Sequence, residues 1–346
     1  MTGKYTMPAE WHPHSGTLMT WPVNRDTWPG FRLKNVEKVY LNIIRRLHEF
    51  EPVHLIVHDE GVRARVNDAL RTANLPENAV IYHLHASNDV WIRDYGPVFV
   101  RDQAGHYAVT DWEYNAWGGK YPPFDSDNRI PGLIADAFRL PHILPDMVLE
   151  GGSIDTNGRG VLMTTESVLL NPNRNPRLSK QQIEERLKTY LGQQQIIWLT
   201  SGLAGDDTDG HIDDMSRFVS ENVMVTALPE DRNDINYPVL RENYEILKST
   251  RNRTGGHYDI IPIPMPRTRI VGTTVDGSPY VPASYANFYI ANAVVLLPLY
   301  DDRYDRRMMD LFAGLFPGRT IAGIPCKDLV WGQGGIHCIT QQMYCR

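Results

Sequence analysis

Three absences narrow the classes of protein that this 346-residue sequence can encode. Cysteine is scarce: Cys326, Cys338 and Cys345 are too few for a disulfide framework and match no paired zinc motif, which favours a reducing, cytoplasmic compartment. No apolar run approaches the ~20 residues of a membrane-spanning helix, and residues 1–16 lack the apolar segment of a signal peptide, so neither membrane insertion nor export is expected. Lys and Arg form no long run in a chain of net charge −6, so nucleic acid is not an expected partner.

The sequence does contain one order of elements four times: a polar or glycine-rich turn, two β-rich runs, an amphipathic helix and a further strand. The four turns stand at Asp94, Glu150, His211 and Asn287. The helices predicted after them cover residues 133–140, 179–191, 237–249 and 303–316. This order predicts an α/β protein of repeated ββαβ units, folded as a single domain over residues 1–346. It leaves open whether copies of the chain associate into a homo-oligomer.

The two ends of the chain complete a fifth unit. The first strand, residues 17–21, and the last, residues 338–342, each lack a hairpin partner, so we expect them to pair and close a ring. The helix predicted at residues 33–50 belongs to this unit, because its apolar residues recur on one face. A helix at 61–72 and a strand at 80–85 enlarge it. Ring closure would bring the five turns toward one axis.

The turn before the last strand contains a candidate nucleophile. Cys338 follows Gly334 and Gly335, which let the backbone bend sharply and a ligand approach closely. The alternative is that Cys338 is a small buried hydrophobe. His337 is adjacent, but successive side chains of a strand point to opposite faces, so we expect a structural role for it.

Four other turn residues could line the same axis. His211 and Asp213 share one face if their segment is extended, although a lone His is more often structural. The acidic run around them does not fit an EF-hand calcium loop, because the residues at the first and twelfth positions of such a loop carry no carboxylate. The sequence also contains no zinc-binding motif. Asp94 and Glu150 stand on equivalent turns, with a structural pair to Arg93 and an exposed turn acid as the respective alternatives.

Acids clustered with one His and one Cys favour a planar cationic substrate. A guanidinium offers a rigid fork of donors that two carboxylates can grip, which would fix its central carbon within reach of a thiolate. Two acids are required because a buried cation opposed by a single charge remains costly. Asp94 and Asp213 are the natural pair.

Seven motifs between residues 7 and 342 resemble the agmatine deiminases of the guanidine-modifying, or pentein, superfamily. They are MPAEW at 7–11, WIRDYGP at 91–97, NAWGGKYPPFDSDN at 115–128, EGGSID at 150–155, DDTDGHID at 206–213, SYANFYIAN at 284–292 and GGIHCITQQ at 334–342. The resemblance implies a five-bladed α/β propeller, which matches the five units. It also implies the hydrolysis of agmatine to N-carbamoylputrescine and ammonia with neither cofactor nor metal.

The resemblance assigns a role to each turn residue. Cys338 aligns with the nucleophile, His211 with the general acid and base, and Glu150 with the acid that orients the His. Asp94 and Asp213 align with the carboxylates that grip the guanidinium. The further substrate-binding residues predicted are Trp91, Trp117, Arg93 and Asn287.

Two alternatives remain open. The substrate could be free or peptidyl arginine, in which case Arg93 would serve the carboxylate of free arginine. The protein could instead be a non-catalytic propeller that binds polyamines or a protein partner at its axis. Trp117 is likewise open: it covers the methylenes of the substrate or is a core residue.

Overall fold

The computed structural model describes residues 4–267, 270 and 279–345, and they form a mixed α/β fold of five small sheets. In chain order the strands are β1 (Tyr5–Thr6), β2 (Gly16–Thr20), β3 (Val53–Val57), β4 (Ile81–Leu84), β5 (Val98–Asp102), β6 (Tyr107–Thr110), β7 (His142–Ile143), β8 (Asp155–Thr156), β9 (Val161–Thr165), β10 (Gln195–Leu199), β11 (Ser216–Ser220), β12 (Val223–Ala227), β13 (Asp259–Ile263), β14 (Tyr289–Ile290), β15 (Val294–Leu299), β16 (Thr320–Pro325) and β17 (Gln341–Met343).

Helices connect the parallel strands, and short 3₁₀ turns precede several first strands. The α-helices are α1 (Arg32–Leu47), α2 (Glu60–Thr72), α3 (Ile92–Tyr95), α4 (Ala116–Gly119), α5 (Ile130–Phe138), α6 (Glu166–Leu169), α7 (Lys180–Leu191), α8 (Tyr237–Ser249), α9 (Asp305–Leu315) and α10 (Lys327–Val330). The 3₁₀ turns are Glu77–Ala79, Asp127–Arg129, Gly151–Ser153, Ile212–Asp214 and His337–Ile339.

The predicted ββαβ order recurs in every sheet. The sheets have the strand orders β1-β5-β6-β7, β10-β9-β8, β11-β12-β13, β14-β15-β16 and β17-β2-β3-β4. In each sheet two strands pair antiparallel, and a helix then crosses to a third strand that pairs parallel with the second. The expected pairing of the two chain ends is confirmed, because β17 runs antiparallel to β2 with Gln341 opposite Leu18.

The helices form because their apolar residues share one face, which packs on the sheets. The buried face of α1 consists of Val36, Val39, Tyr40, Ile43, Ile44 and Leu47. Burial of each such side chain contributes about 1.5–3 kcal/mol relative to exposure. α1 ends at Leu47, so Phe50 lies beyond the helix with 42% of its surface exposed, contrary to the predicted end. Among the described residues, no helix combines the length and apolarity needed to span a bilayer.

Candidate active site

The turns that begin the units pack against one another. Helix α3 contacts the turn Gly151–Ser153 and the turn His337–Ile339, and Gly151–Ser153 also contacts Ile212–Asp214. Because these turns carry or adjoin the predicted site residues, residues far apart in sequence meet at one place. The convergence that ring closure predicted for these turns is therefore present in the fold.

Three of the predicted side chains surround Gly152. A Cβ atom at Gly152 would lie 2.6 Å from both Asp94 Oδ1 and His211 Nδ1, and 3.1 Å from Asp213 Oδ2. The absence of a side chain therefore lets these groups approach, and the Gly152 N–H donates to Asp94 Oδ1 at 3.1 Å. His211 Nδ1 lies 3.6 Å from Asp94 Oδ1 and 4.0 Å from Asp213 Oδ1, so the imidazole stands between two carboxyl groups.

The sulfur of Cys338 lies beside this group. Its Sγ is 3.9 Å from Asp213 Oδ2, 3.2 Å from Asn287 Nδ2 and 3.4 Å from the Gly335 backbone nitrogen. Cys338 occupies a 3₁₀ turn, and β17 begins only at Gln341, so the expected strand start at Cys338 is wrong. The turn directs the sulfur toward donors on two neighbouring segments.

The expected extended segment at His211 is also replaced by a turn. Residues 212–214 form a 3₁₀ turn, yet His211 and Asp213 still face each other across 4.0 Å. The turn is tight because the His211 N–H donates to Asp206 Oδ2 at 3.1 Å.

Burial and mutual repulsion shift the pKa values of this group. Burial raises the pKa of Asp94 to about 7, and Asp213 and Glu150 add to the rise against the opposing effect of His211. Burial alone would lower the pKa of His211, but Asp94 and Asp213 outweigh it and raise that pKa. The pKa of the Cys338 thiol is raised well above its usual value by burial and by the neighbouring acids.

The predicted residues divide between the wall of a cleft and the layer behind it. Trp91, Asp94, Trp117 and Cys338 line a cleft of about 560 Å³. His211, Asp213, Glu150 and Asn287 are buried behind this wall. The acids that line the cleft are Asp26, Asp89, Asp94, Asp127 and Asp207, and the basic residue among the described lining residues is Lys120.

Both tryptophans contribute to the cleft wall. The indole N–H of Trp117 donates to Asp94 Oδ2 at 3.1 Å, and the rings of Trp91 and Trp117 meet edge to face at 6.4 Å. Trp117 is 8% exposed, so it is neither a surface residue nor a wholly enclosed one. The hydrogen bond fixes one oxygen of Asp94 and leaves an aromatic face beside it.

The structure does not bring Arg93 to the cleft. Its guanidinium is buried and donates to Gln342 Oε1 at 2.8 Å and to the His337 carbonyl at 3.3 Å, while Glu10 lies 3.4 Å away. Arg93 and Asp94 are consecutive in the single-turn helix α3, so their side chains leave it in different directions. The alternative of an Arg93–Asp94 turn pair is likewise not seen, because Arg93 pairs with Glu10.

Three residues of this region were not predicted as site residues. Arg174 Nε donates to Glu150 Oε1 at 2.6 Å with both side chains buried, and nothing in the local sequence marks it. His337 joins Asp213 Oδ2 at 2.6 Å to Glu10 Oε2 at 2.7 Å. The signal for Glu10 was the MPAEW motif, and that for His337 was its place beside Cys338.

One group of described residues has the composition of a metal site. Ligand atoms of Asp213, Asp214 and Cys338 lie within 4.8 Å of one another. Each is already engaged: Asp213 with His337, and both Asp214 and Cys338 with Asn287. The group is therefore part of the side-chain network rather than a separate cradle.

Comparisons with known proteins cover almost the whole chain. A protein of Legionella pneumophila (strain Paris), named "Putative agmatine deiminase", is 38% identical over 98% of this chain and 95% of its own. The solved agmatine deiminase of Enterococcus faecalis is 31% identical, with 98% and 96% of the two chains covered and a TM-score of 0.89. A substrate-bound agmatine deiminase of C. jejuni is 30% identical over 98% and 96%, with a TM-score of 0.87.

The sequence profile of one family matches residues 6–343, the same span that holds all seven motifs and every residue of the converging turns. The sequence similarity and the structural similarity therefore cover the same continuous stretch of the chain. The chain belongs to the Porphyromonas-type peptidyl-arginine deiminase family.

Proposed function

We propose that the protein hydrolyses agmatine to N-carbamoylputrescine and ammonia through a covalent intermediate on Cys338. The observation that carries the proposal is the placement of Asp94 and Asp213 around His211, with the Cys338 sulfur 3.9 Å from Asp213. The relatives from L. pneumophila, E. faecalis and C. jejuni are named as agmatine deiminases, which supports agmatine as the substrate.

Asp94 and Asp213 bind the guanidinium of the substrate. Each carboxylate can accept two parallel N–H bonds, which holds the flat group in a fixed plane with its carbon facing the sulfur. Asp213 is already oriented by His337, and Asp94 by Trp117 and the Gly152 N–H. A cation between these acids also offsets the repulsion that raises the pKa of Asp94.

The reaction proceeds in two halves. The Cys338 thiolate attacks the guanidinium carbon, so that a C–S bond forms, and the C–N bond to the terminal nitrogen breaks as His211 donates a proton to the departing ammonia. The resulting thiouronium is then hydrolysed: neutral His211 takes one proton from water and the oxygen adds to the same carbon. The C–S bond breaks to release the thiolate, and the added hydroxyl loses its remaining proton to solvent as the neutral ureido product forms. The bound cation favours the thiolate, whose formation the surrounding acids otherwise oppose.

Glu150 keeps His211 in its protonated form at the first step. Its charge contributes to the raised pKa of His211, and Arg174 holds its Oε1 atom at 2.6 Å. The other oxygen, Oε2, is buried with no hydrogen-bond partner among the described residues. Among the described residues no hydrogen bond joins Glu150 to His211, so Glu150 acts on His211 through its charge and is not a group that touches the substrate.

The charge of the cleft favours agmatine over arginine. Free arginine brings a carboxylate, and the cleft wall offers it Lys120, whose Nζ is already 2.7 Å from Asp209 Oδ1. Arg93, the alternative partner, is buried with Glu10. Agmatine instead carries an ammonium, which suits a wall with five carboxylate side chains.

We further propose a more detailed description of the fold and a cellular location for the protein. Five ββαβ units and the β17–β2 pairing support a pseudo-symmetric five-bladed α/β propeller whose ring is closed by the termini. We also propose that the chain is a single catalytic domain. The small number of cysteines, three in 346 residues, supports a cytoplasmic setting.

Ammonia release from agmatine, free arginine and an arginine-containing peptide tests the substrate. We expect agmatine to be the fastest, and a faster rate with either of the others would overturn that choice. The Cys338→Ser variant should lose about 10⁴-fold of the turnover, as removal of a covalent nucleophile does. Cys345→Ser is the matched control and should turn over normally, and added chelator should leave the rate unchanged. Unaltered turnover in Cys338→Ser would exclude the covalent mechanism.

A further inference from the structure

The amide of Asn287 is fixed on both sides. Its Oδ1 accepts the His337 backbone N–H at 2.9 Å, so the oxygen faces the backbone and the NH₂ group faces the opposite way. Gly335 makes this approach possible, because a Cβ there would lie 2.3 Å from Oδ1. The side chain is buried, with 1% of its surface exposed.

The NH₂ group of Asn287 has two hydrogens, and two hydrogen-bond acceptors lie near it. Nδ2 lies 2.9 Å from Asp214 Oδ1 and 3.2 Å from Cys338 Sγ. The two hydrogens of an amide point in different directions within one plane. The bond to Asp214 therefore determines where the second hydrogen points, and it points at the sulfur.

Ionisation of the Cys338 thiol depends on hydrogen-bond donors of this kind. Burial and three neighbouring acids oppose ionisation of Cys338, and the Gly335 backbone N–H is a further donor, at 3.4 Å. A hydrogen bond to a charged acceptor is about twice as strong as a neutral one, so a donor to the thiolate favours the reactive form.

Asp214 has no catalytic assignment in the mechanism above. It is 2% exposed, and burial together with Asp213 and Asp206 raises its pKa well above the usual value. Protonated or ionised, its carboxyl group presents an acceptor oxygen to Asn287 Nδ2 at 2.9 Å.

We propose that Asp214 is a positioning residue for Cys338: its carboxyl holds the Asn287 amide in the orientation that donates an N–H to the sulfur. This inference rests on the proposed role of Cys338 as the nucleophile. It assigns Asn287, which the sequence predicted to bind substrate, to the nucleophile instead.

The test measures the sulfur directly and needs no substrate turnover. The rate of Cys338 alkylation by iodoacetamide is followed by tandem mass spectrometry that assigns the adduct to one cysteine, because no Lys or Arg separates Cys338 from Cys345. Alkylation of Cys345 is the internal control. We expect Asp214→Ala to slow Cys338 alkylation by about tenfold, the effect of one hydrogen bond to a charged group. Asp214→Asn keeps an acceptor oxygen and should stay within about threefold of the parent. Cys345 should react at one rate throughout.

A double-mutant cycle shows whether Asp214 acts through Asn287. Asn287→Ala should slow alkylation as much as Asp214→Ala, and the double variant should be no slower than Asn287→Ala alone. If Asp214→Ala fails to fold, Asp214→Leu fills the volume without an acceptor and takes its place. A parent-like rate in the variant that lacks the acceptor, equal losses in Asp214→Asn and Asp214→Ala, or additive losses in the double variant would each overturn the proposal.

Agmatine kinetics separate this inference from the proposed function. If Asp214 positions the nucleophile, Asp214→Ala lowers kcat with little change in KM, and Asp214→Asn restores it. A parent enzyme that does not release ammonia from agmatine contradicts the proposed function, whereas the alkylation rates still decide the role of Asp214.

Discussion

Two groups of buried charged residues meet at Asp213, and they differ in how their charges are balanced. The first, the inner network, consists of Glu10, Arg93, Asp155, Arg217 and His337. Each of its basic side chains lies within 3.4 Å of a carboxyl group: Arg93 of Glu10, Arg217 of Glu10 and Asp155, and the His337 imidazole of Glu10. Burial alone would raise the pKa of Glu10, but Arg217 and His337 outweigh it and lower that pKa.

The second group, which we call the cleft floor, consists of Asp94 and Cys338, which line the cleft, and of His211 and Asp213, which are buried directly behind them. Here the closest approach of His211 to a carboxylate is 3.6 Å, and both its ring nitrogens lack a hydrogen-bond partner among the described residues. The pKa of Asp94 is raised to about 7, opposite in direction to that of Glu10. Buried polar groups are normally paired, so the unpartnered His211 nitrogens and the raised pKa of Asp94 support the proposal that a cation binds at the cleft floor.

We infer from this contrast that the inner network stabilises the fold and that the cleft floor is available for binding. In the inner network, removal of one charge leaves its partner buried and unpaired. In the cleft floor, removal of the Asp94 charge relieves repulsion. The same kind of substitution should therefore have different effects on stability at Asp94 and in the inner network.

The largest expected effect on stability is that of Arg217→Met. Arg217 is fully buried between Glu10 and Asp155, and its loss leaves two carboxylates without their cation. We expect the free energy of unfolding to fall by about 3–5 kcal/mol, as measured by urea denaturation. Arg306→Met is the control, because the Arg306–Asp310 pair is exposed and should contribute little. Equal stability of the two variants would contradict the structural role of the network.

An Asp→Asn substitution made once in each region tests this difference directly. Asp94→Asn should lower kcat/KM for agmatine by about 10²-fold, because one of the two charges that bind the guanidinium is lost. Its Tm should be little changed, because relief of a repelled carboxylate offsets the loss of one acceptor for the Trp117 or Gly152 N–H. Asp155→Asn should instead lower the Tm, because Asp155 accepts from Arg217 and from the Phe218 N–H. A loss of Tm in Asp94→Asn would show that the cleft floor also stabilises the fold.

The sequence predicted the order of elements and the converging turns because both depend on local patterns. The spacing of apolar residues in α1 and the turn before each hairpin are visible over short stretches. Pairing of the chain ends followed from two strands that had no local partner, and β17 does pair with β2.

Side-chain partners across the fold could not be predicted in this way. Glu10 and His337 are 327 positions apart, and only the packed fold brings them within 2.7 Å. Arg93 and Asp94 are neighbours in sequence and in helix α3, but Arg93 belongs to the inner network and Asp94 to the cleft floor. They differ because their side chains leave the helix in different directions. Arg174 lies in an irregular loop, and its bond to Glu150 has no periodic signature in the sequence.

The smallest expected effect is a pH dependence of binding that distinguishes the two regions without altering the fold. The raised pKa of Asp94, about 7, means that the carboxyl of the free protein takes up a proton as the pH falls through that value, well above the usual 3.8. A cation binds the ionised form, so binding releases this proton, and affinity should fall by at most about tenfold per pH unit below about pH 7.

Calorimetry of agmatine binding to Cys338→Ser, which does not turn over, measures this slope between about pH 5.5 and about pH 8. His211, whose pKa is also raised, adds its own positive charge over part of the range, and the Asp94→Asn background isolates that contribution. The same shift predicts a sign for stability: because the folded-state pKa exceeds the unfolded one, ionisation of Asp94 costs stability as pH rises from about 4 to about 7. Asp94→Asn should remove that cost, whereas Arg217→Met leaves it in place. An affinity independent of pH across this range would mean that Asp94 is ionised in the free protein and that the cleft floor is as well balanced as the inner network.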